Sequence, residues 1–486
     1  MRIRPCCIVL VSAIGLLLPG CMVGPRYVKP AVPVTPNFEE TEESKAGDGW
    51  KVAQPDDDLI RGKWWELYGD AVLNEIEEQV DSSNQDLKVA EANLRQARAA
   101  IRFNRASQAP TIGSSPSISD IRASADKPYF PPSLSNNGSG DFILPLDLSY
   151  ELDLWGRIRR SVASAKEQAQ ASAADLQTAR LSLHAEVAVD YFEVRSADAQ
   201  ERLLNDTVKA YTEALRLTQN RFEGGAAPKS DVAQAQTQLQ AAQVLASDIT
   251  VQRAQYEHAL AILIGRPPAA FHLAVSPLNL VGPVLPSVPV TLPARLLERR
   301  PDIAAAERRM ASANEQIGIA KAAYYPTLNL AASAGLEGSS ILNWLTWPSR
   351  FWAVGPELGE TLFDAGRRRA TTESARAGYD AAVAGYRRTI LDAFQQVEDN
   401  LVVLRVLSTE SMQQRQATSA AEESLKLFQN RYAGGVDTYL QVVTSQTTAL
   451  ANERNDIDIL RRRLEANVLL IKAMGGGWDV SNLPQS

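Results

Sequence analysis

The chain has almost no histidine and almost no cysteine, three of each in 486 residues. His184, His258 and His272 are too scattered for metal-ligand spacing. No P-loop, nucleophile elbow or paired-histidine motif occurs, so nothing points to an enzyme, a cofactor or a metal. Cys6 and Cys7 lie in the first few residues, ahead of Cys21. Loss of that leader leaves one cysteine and no intrachain disulfide. Positive charge is not in excess: the formal net charge is −7, which argues against nucleic acid as partner. Nor is there a run of eighteen apolar residues. Any part of the folded chain that crosses a membrane must therefore be β.

What is present begins with the leader. Arg2 and Arg4 precede the apolar run Ile8 to Leu18, which is too short for a mature spanning helix. "LPGC", Leu18 to Cys21, reads as a lipoprotein signal, with residues 1–20 removed and Cys21 acylated. Met22 follows, where an aspartate would argue for retention at the inner membrane. Residues 21–62 are rich in proline and acid and read as an extended, lipid-anchored lead-in. "WWELYGD" at 64–70 opens the folded part.

The chain repeats itself. "NRFEGG" at 220–225 returns as "NRYAGG" at 430–435, Gly156-Arg157 as Gly366-Arg367, and Gly265 as Gly475, all offset by 210. Upstream, Ile101 and Pro110-Thr111 match Ile317 and Pro326-Thr327 at an offset of 216. The extra six residues of the first copy lie between Pro110 and Gly156. The copies run over 63–265 and 293–475, with a linker at 266–292 and a tail at 476–486. A period this long is no solenoid repeat but two copies of one large unit.

Each unit mixes two periodicities. Residues 157–222 and 367–432 carry no proline, and in the first the apolar and small residues from Ile158 to Leu183 step by 4,3,4,3 like a coiled-coil seam. As one helix such a stretch is roughly 100 Å long. Gly224-Gly225 and Gly434-Gly435 each end it with a turn, after which a second helix returns. The helix before the strands and the helix after the turn, placed end to end, roughly match the long one in length. Each copy thus reads as two antiparallel rods, one continuous and one spliced. Between them lie strands. A strand is expected over about 142–154, and residues 144–154 alternate strictly, with Leu144, Leu146, Leu148, Tyr150, Leu152 and Leu154 on one face and Asp147, Ser149, Glu151 and Asp153 on the other. Residues 327–337 alternate too, and 110–121 and 351–362 do so more weakly. One apolar and one acidic face suit lipid outside and water inside. Four strands cannot close a barrel, so the chain must oligomerise to cover its edges.

These stretches resemble a known family. "CMVGPRYVKP", "WWELYGD", "YELDLWGRIRR", "NRFEGG", "LLERRPDIAAAERRM", "FDAGRRR", "RYAGGVDTYLQVV" and "LIKAMGGGW" look like the TolC-type outer membrane efflux proteins, in their lipoprotein branch (NodT-like and OprM-like). The resemblance implies a homotrimer in the outer membrane, with a twelve-strand barrel over a long helical barrel. It implies docking of both "GG" turns to a periplasmic adaptor and an inner-membrane pump of the RND type. Drugs or other small molecules would pass without chemistry; an outlet for type I protein secretion is the alternative. The resemblance also implies a gate at the periplasmic tip. Asp231 matches an aspartate that bonds a tyrosine, here Tyr432, in the closed state. Leu440 matches an apolar ring. Gln441 and Thr444 stand where relatives carry an acidic ring. Ser230 lies opposite Asp437, which is left as the charge nearest the mouth on its helix.

Overall fold

The computed structural model describes residues 22–32, 38–40, 62–122, 124, 138–278, 286, 299–478 and 483. Cys21 and the leader, most of the first hairpin loop, most of the linker and most of the tail lie outside them.

Two helices of 67 residues dominate, α3 (Arg157–Glu223) and α7 (Arg367–Ala433), with a single helical turn, α6 (Ile341–Trp344), ahead of the second. Each starts after a glycine and ends in a matching turn. Gly225 N–H donates to Phe222 O and Ala226 N–H to Arg221 O; Gly435 and Val436 repeat both bonds to Tyr432 and Arg431. Gly225 and Gly435 each sit at φ 74°, left-handed backbone that glycine adopts without cost. Beside each long helix runs a spliced rod. α1 (Ala71–Ser83) and α2 (Gln85–Ala106) stand above α4 (Lys229–Leu263); α5 (Pro301–Ala322) stands above α8 (Tyr439–Ala473). The splices are bonded directly. Asn84 accepts Leu87 N–H as the N-cap of α2 and donates Nδ2 to Leu263 O, at 2.9 and 2.8 Å. In the second copy Arg300 Nη1 donates to Ala473 O at 2.9 Å. One side chain thus satisfies the end of one short helix at the start of the next.

Among the described residues five strands form one antiparallel sheet: β1 (Thr111–Gly113) and β2 (Ser117–Ile121) share an edge, followed by β3 (Ser139–Leu152), β4 (Thr327–Gly338) and β5 (Arg350–Gly359). The strand expected over 110–121 is two pieces. Both keep one register on β3, with Ile112 opposite Leu148 and Ser117 opposite Ile143. Between them Pro116 has no N–H to give, and Ser114 Oγ bonds Pro145 O instead at 2.6 Å. β5 also stops short of the expected 362. Glu360 lies beyond its end, 3.6 Å from Arg368, and so never enters the apolar face.

The register makes that face continuous. Ile112, Leu148, Ala332 and Val354 form one row, Leu146, Ala334 and Trp352 another, Leu152, Leu328 and Leu358 a third. Leu146, Trp352, Val354 and Leu358 are all exposed. The opposite face carries Asp147 beside Ser333 and Glu151 beside Asn329 and Glu357. Among the described residues no helix is long and apolar enough to cross a membrane.

The main core sits at the waist, where the splices meet. Trp64, Leu73, Val80, Tyr191, Leu260, Ile264, Val397 and Leu464 all belong to it. "WWELYGD" anchors it: Tyr68 donates to Asn467 Oδ1 at 2.7 Å, and Asp70 caps α1 while accepting Tyr191 Oη at 2.5 Å. His184 fastens α1 to α3. Its Nδ1 lies 2.7 Å from Glu77 Oε2, its Nε2 3.3 Å from Asp81 Oδ1, and Trp65 stacks on the ring at 4.4 Å. Arg180 pairs with Asp81 from the other side.

Burial by itself lowers His184, but the two carboxylates outweigh it and hold the imidazole above its usual range. Burial pushes Glu77 up to about 7. Both groups hold protons in the fold that the unfolded chain has released, so their contribution is lost as pH rises through the folded values. Asp81, held down to about 2 by His184 and Arg180 against its burial, acts only in acid. Thermal stability is therefore expected to fall as pH rises from about 4.5 through 7. His184→Gln should remove the histidine's share of that slope, above about pH 6.5, while Glu77, which His184 holds down, keeps its own. A slope unchanged above that pH in thermal unfolding would place the titration elsewhere.

Candidate functional site

Opposite the sheet, the turns of the two copies come together. Arg221, near the end of α3, reaches across to the end of α7. Its Nη1 donates to Tyr432 O at 2.7 Å and to Ala433 O at 3.1 Å, and its guanidinium lies 4.6 Å from the centre of the Tyr432 ring. The last carbonyls of a helix have no partner within it and carry partial negative charge, so a guanidinium is a strong cap there. The Tyr432 ring is buried against Tyr439, at 5.1 Å, with Ala235 and Val442 completing a small core. Tyr432 Oη stands 3.4 Å from Asp231 Oδ2. That is long for a hydroxyl donor. Burial first, then the Asp231 charge, raises the Tyr432 phenol, so it stays a neutral donor.

The structure thus brings Asp231 and Tyr432 together, but adds Arg221 as the residue with the shorter bonds. Arg221 is the second residue of the doubled "NR" motif. Its counterpart Arg431 turns back on its own loop, with Nε 2.5 Å from Asp437 Oδ2. The copies have diverged in the aromatic as well: Phe222 is exposed where Tyr432 is buried.

Asp437, the charge nearest the mouth on its helix, is closed on Arg431 and so forms half of a neutral pair. Leu440 is 55% exposed, and Gln441 and Thr444 are exposed beside it. Thr444 Oγ1 is spent on Leu440 O at 2.9 Å. Gly224, Gly225, Gly434 and Gly435 are exposed at the two turns. Ser230 faces its neighbour Asp231, at 3.5 Å, rather than Asp437. Among the described residues no cluster of histidine, cysteine and acids is arranged to hold a metal.

The architecture has known counterparts. The profile of the family described as outer membrane efflux protein matches residues 78–266 and 292–476. The solvent efflux pump outer membrane protein SrpC of Pseudomonas putida is 32% identical over 471 residues, 96% of this chain and 97% of that one. Outer membrane protein OprJ of Pseudomonas aeruginosa is 31% identical over 469 residues, 96% and 95% of the two chains. Among solved structures, the outer-membrane channel OprN superposes with a TM-score of 0.85 at 28% identity, over 94% of this chain and 100% of that one. The open state of the MtrE outer membrane channel of Neisseria gonorrhoeae gives 0.81 at 26%, over 95% and 99%. With a two-faced sheet on long paired rods, a doubled tip, and matches over both copies, the chain belongs to the outer membrane efflux protein family.

Proposed function

We propose that three copies of this chain close into one export duct, with twelve strands in the outer membrane and the long helices reaching into the periplasm. The observation that carries this is the sheet. Its outward rows are exposed and apolar, and both of its edges, β1–β2 and β5, are unpaired among the described residues. Open edges are not tolerated in lipid. β1 and β5 run in opposite directions, so the edge of one copy fits that of the next as an antiparallel pair. The duct performs no chemistry. A periplasmic adaptor docks at the two glycine turns and an inner-membrane RND-type pump supplies the solute. Relatives named for solvent, toluene and antibiotic efflux support small, largely apolar solutes.

Cys21 carries the lipid. Its neighbours support this: Val23 N–H donates to Trp155 O at 3.1 Å, and Met22 packs on Gly156. That holds the start of the mature chain at the junction of sheet and helix, within reach of a bilayer. At the other end the tip closes the duct, with Arg221, Asp231 and Tyr432 as the latch, Leu440 as the steric ring, and Gln441 and Thr444 as a neutral throat.

The test is purification from outer membranes. The particle should have the mass of three chains, Cys21 should bear acyl chains by mass spectrometry, and loss of the gene should sensitise cells to apolar solvents or antibiotics. A monomeric particle, or a free thiol at Cys21, would sink the corresponding claim.

A further inference from the structure

The two copies within one chain show how one chain meets the next. Around the upper half, the helices pack in the order α2–α3–α5–α7. α2 on α3 and α5 on α7 are the same junction, repeated at the offsets of 216 and 210. α3 on α5 is a second kind of junction, and it occurs once. Its repeat would need an α2 against α7, and within one chain those two helices lie at opposite ends of the row.

The α3–α5 junction is well defined. Ser164 Oγ lies 2.8 Å from Ser312 Oγ. Arg160 is buried, bonds Glu315 Oε2 at 2.7 Å, and lies across Gly318, where a Cβ would meet the arginine Cδ at 2.2 Å. The matching positions on the outer helices are Ser374 for Ser164, Gln96 for Ser312, Ala370 for Arg160 and Arg102 for Gly318. All four are exposed. The same positions are thus covered in one copy and bare in the other.

The substitutions are complementary. Inside the chain a long arginine on α3 faces a glycine on α5. On the outer faces a small alanine sits on α7 and a long arginine on α2. The acid changes sides as well: Glu315 on the short helix becomes Ala99, while Ala163 on the long helix becomes Glu373. Among the described residues neither Arg102 nor Glu373 has an ion-pair partner in its own chain, and both are exposed. At this level of the junction size and charge are exchanged together, which keeps one arginine, one small residue and one acid there. The further α3–α5 pairs Arg308–Glu167 and Arg309–Asp175 are not repeated, since Ala92 with Ala377 and Asn93 with Gly385 stand at their positions.

We propose that α7 of one copy docks on α2 of the next in the register of α3 on α5, with Arg102 of one copy lying over Ala370 and bonding Glu373 of the other. This rests on the closed ring proposed above and adds the register and the residues that set it. α2 runs directly into β1, and β5 runs into α7, so the same two chain edges that must pair in the sheet meet here as well. The partner is a second copy of this chain.

The test is disulfide trapping in membranes. Gln96→Cys with Ser374→Cys reproduces the Ser164–Ser312 contact between copies and should give cross-linked dimers and trimers on a non-reducing gel. Ser164→Cys with Ser312→Cys should close within one chain and give none. Gln96→Cys with Ala381→Cys, displaced by about 10 Å along α7, lies beyond disulfide reach and should also give none. The parent chain serves as the blank. A second measurement uses the exchange. Ala370→Arg alone sets two arginines at one junction and should lose trimer on a native gel; Arg102→Gly added to it rebuilds the α3–α5 arrangement and should restore trimer. Trimers that cross-link through the displaced pair, or are not restored by the exchange, overturn the register and leave the ring standing. A parent chain that forms no ring overturns both.

Discussion

A chain carrying Gly475→Ala is expected to fail to accumulate in the outer membrane. Gly475 ends α8 at φ +92°, and a Cβ there would lie 2.1 Å from Arg299 O and 3.5 Å from Arg300 N. Left-handed backbone costs a residue with a side chain about 1–2 kcal/mol. Overpacking against backbone that has no room to move adds about 1–3 kcal/mol. The neighbour is fixed, because Arg300 is buried and tied to Ala473 O, Gln396 and Asp302 at 2.6–3.0 Å. A domain with a net stability of about 5–15 kcal/mol does not absorb that easily. Gly265, its partner in the first copy, meets Ser83 O at 2.3 Å and should behave alike. Gly225→Ala is the control. It has the same sign of φ, +74°, but nothing within 4 Å, so only the strain remains. Trypsin resistance and thermal unfolding of extracted protein separate the cases. If Gly475→Ala is no worse than Gly225→Ala, the splice is looser than its contacts indicate.

The second large effect is expected at the tip. Arg221→Ala should raise leak conductance far more than Tyr432→Phe. The arginine supplies two charge-assisted bonds to helix-end carbonyls and covers the Tyr432 ring. Bonds of that kind contribute about 1.5–3 kcal/mol. Taken from the closed state, that is about 10–100-fold in the ratio of open to closed, since 1.4 kcal/mol is tenfold. Tyr432→Phe removes only the contact at 3.4 Å to Asp231 and leaves the ring in place. Its effect should stay below about tenfold. Single-channel recording in planar bilayers measures both. The reverse order would make the tyrosine–aspartate bond the latch and Arg221 a cap only. Asp437→Asn should change divalent-ion block little, because Arg431 already neutralises that acid.

Whatever follows from local repetition is legible in the order of the residues. The offset of 210 exposed the duplication. Long stretches without proline fixed α3 and α7, and the paired glycines fixed their turns, because helix breaking is decided within a few residues. Strict alternation over 144–154 fixed β3 and both of its faces. The rest depends on which segments meet in the fold. The coiled-coil seam of α3 implied one partner, yet Ser164, Ala171 and Ala174 are buried beside it, because α3 packs on α2 and on α5 at once. β1 and β2 separate only because Pro116 lies opposite a partner strand. Arg221 and Arg431 sit in the same motif, but one caps the other copy's helix and the other closes on Asp437. Which arginine does which depends on what lies across the gap. Periodicity reports which way a residue faces; only the approach of segments some 200 residues apart sets what it meets there.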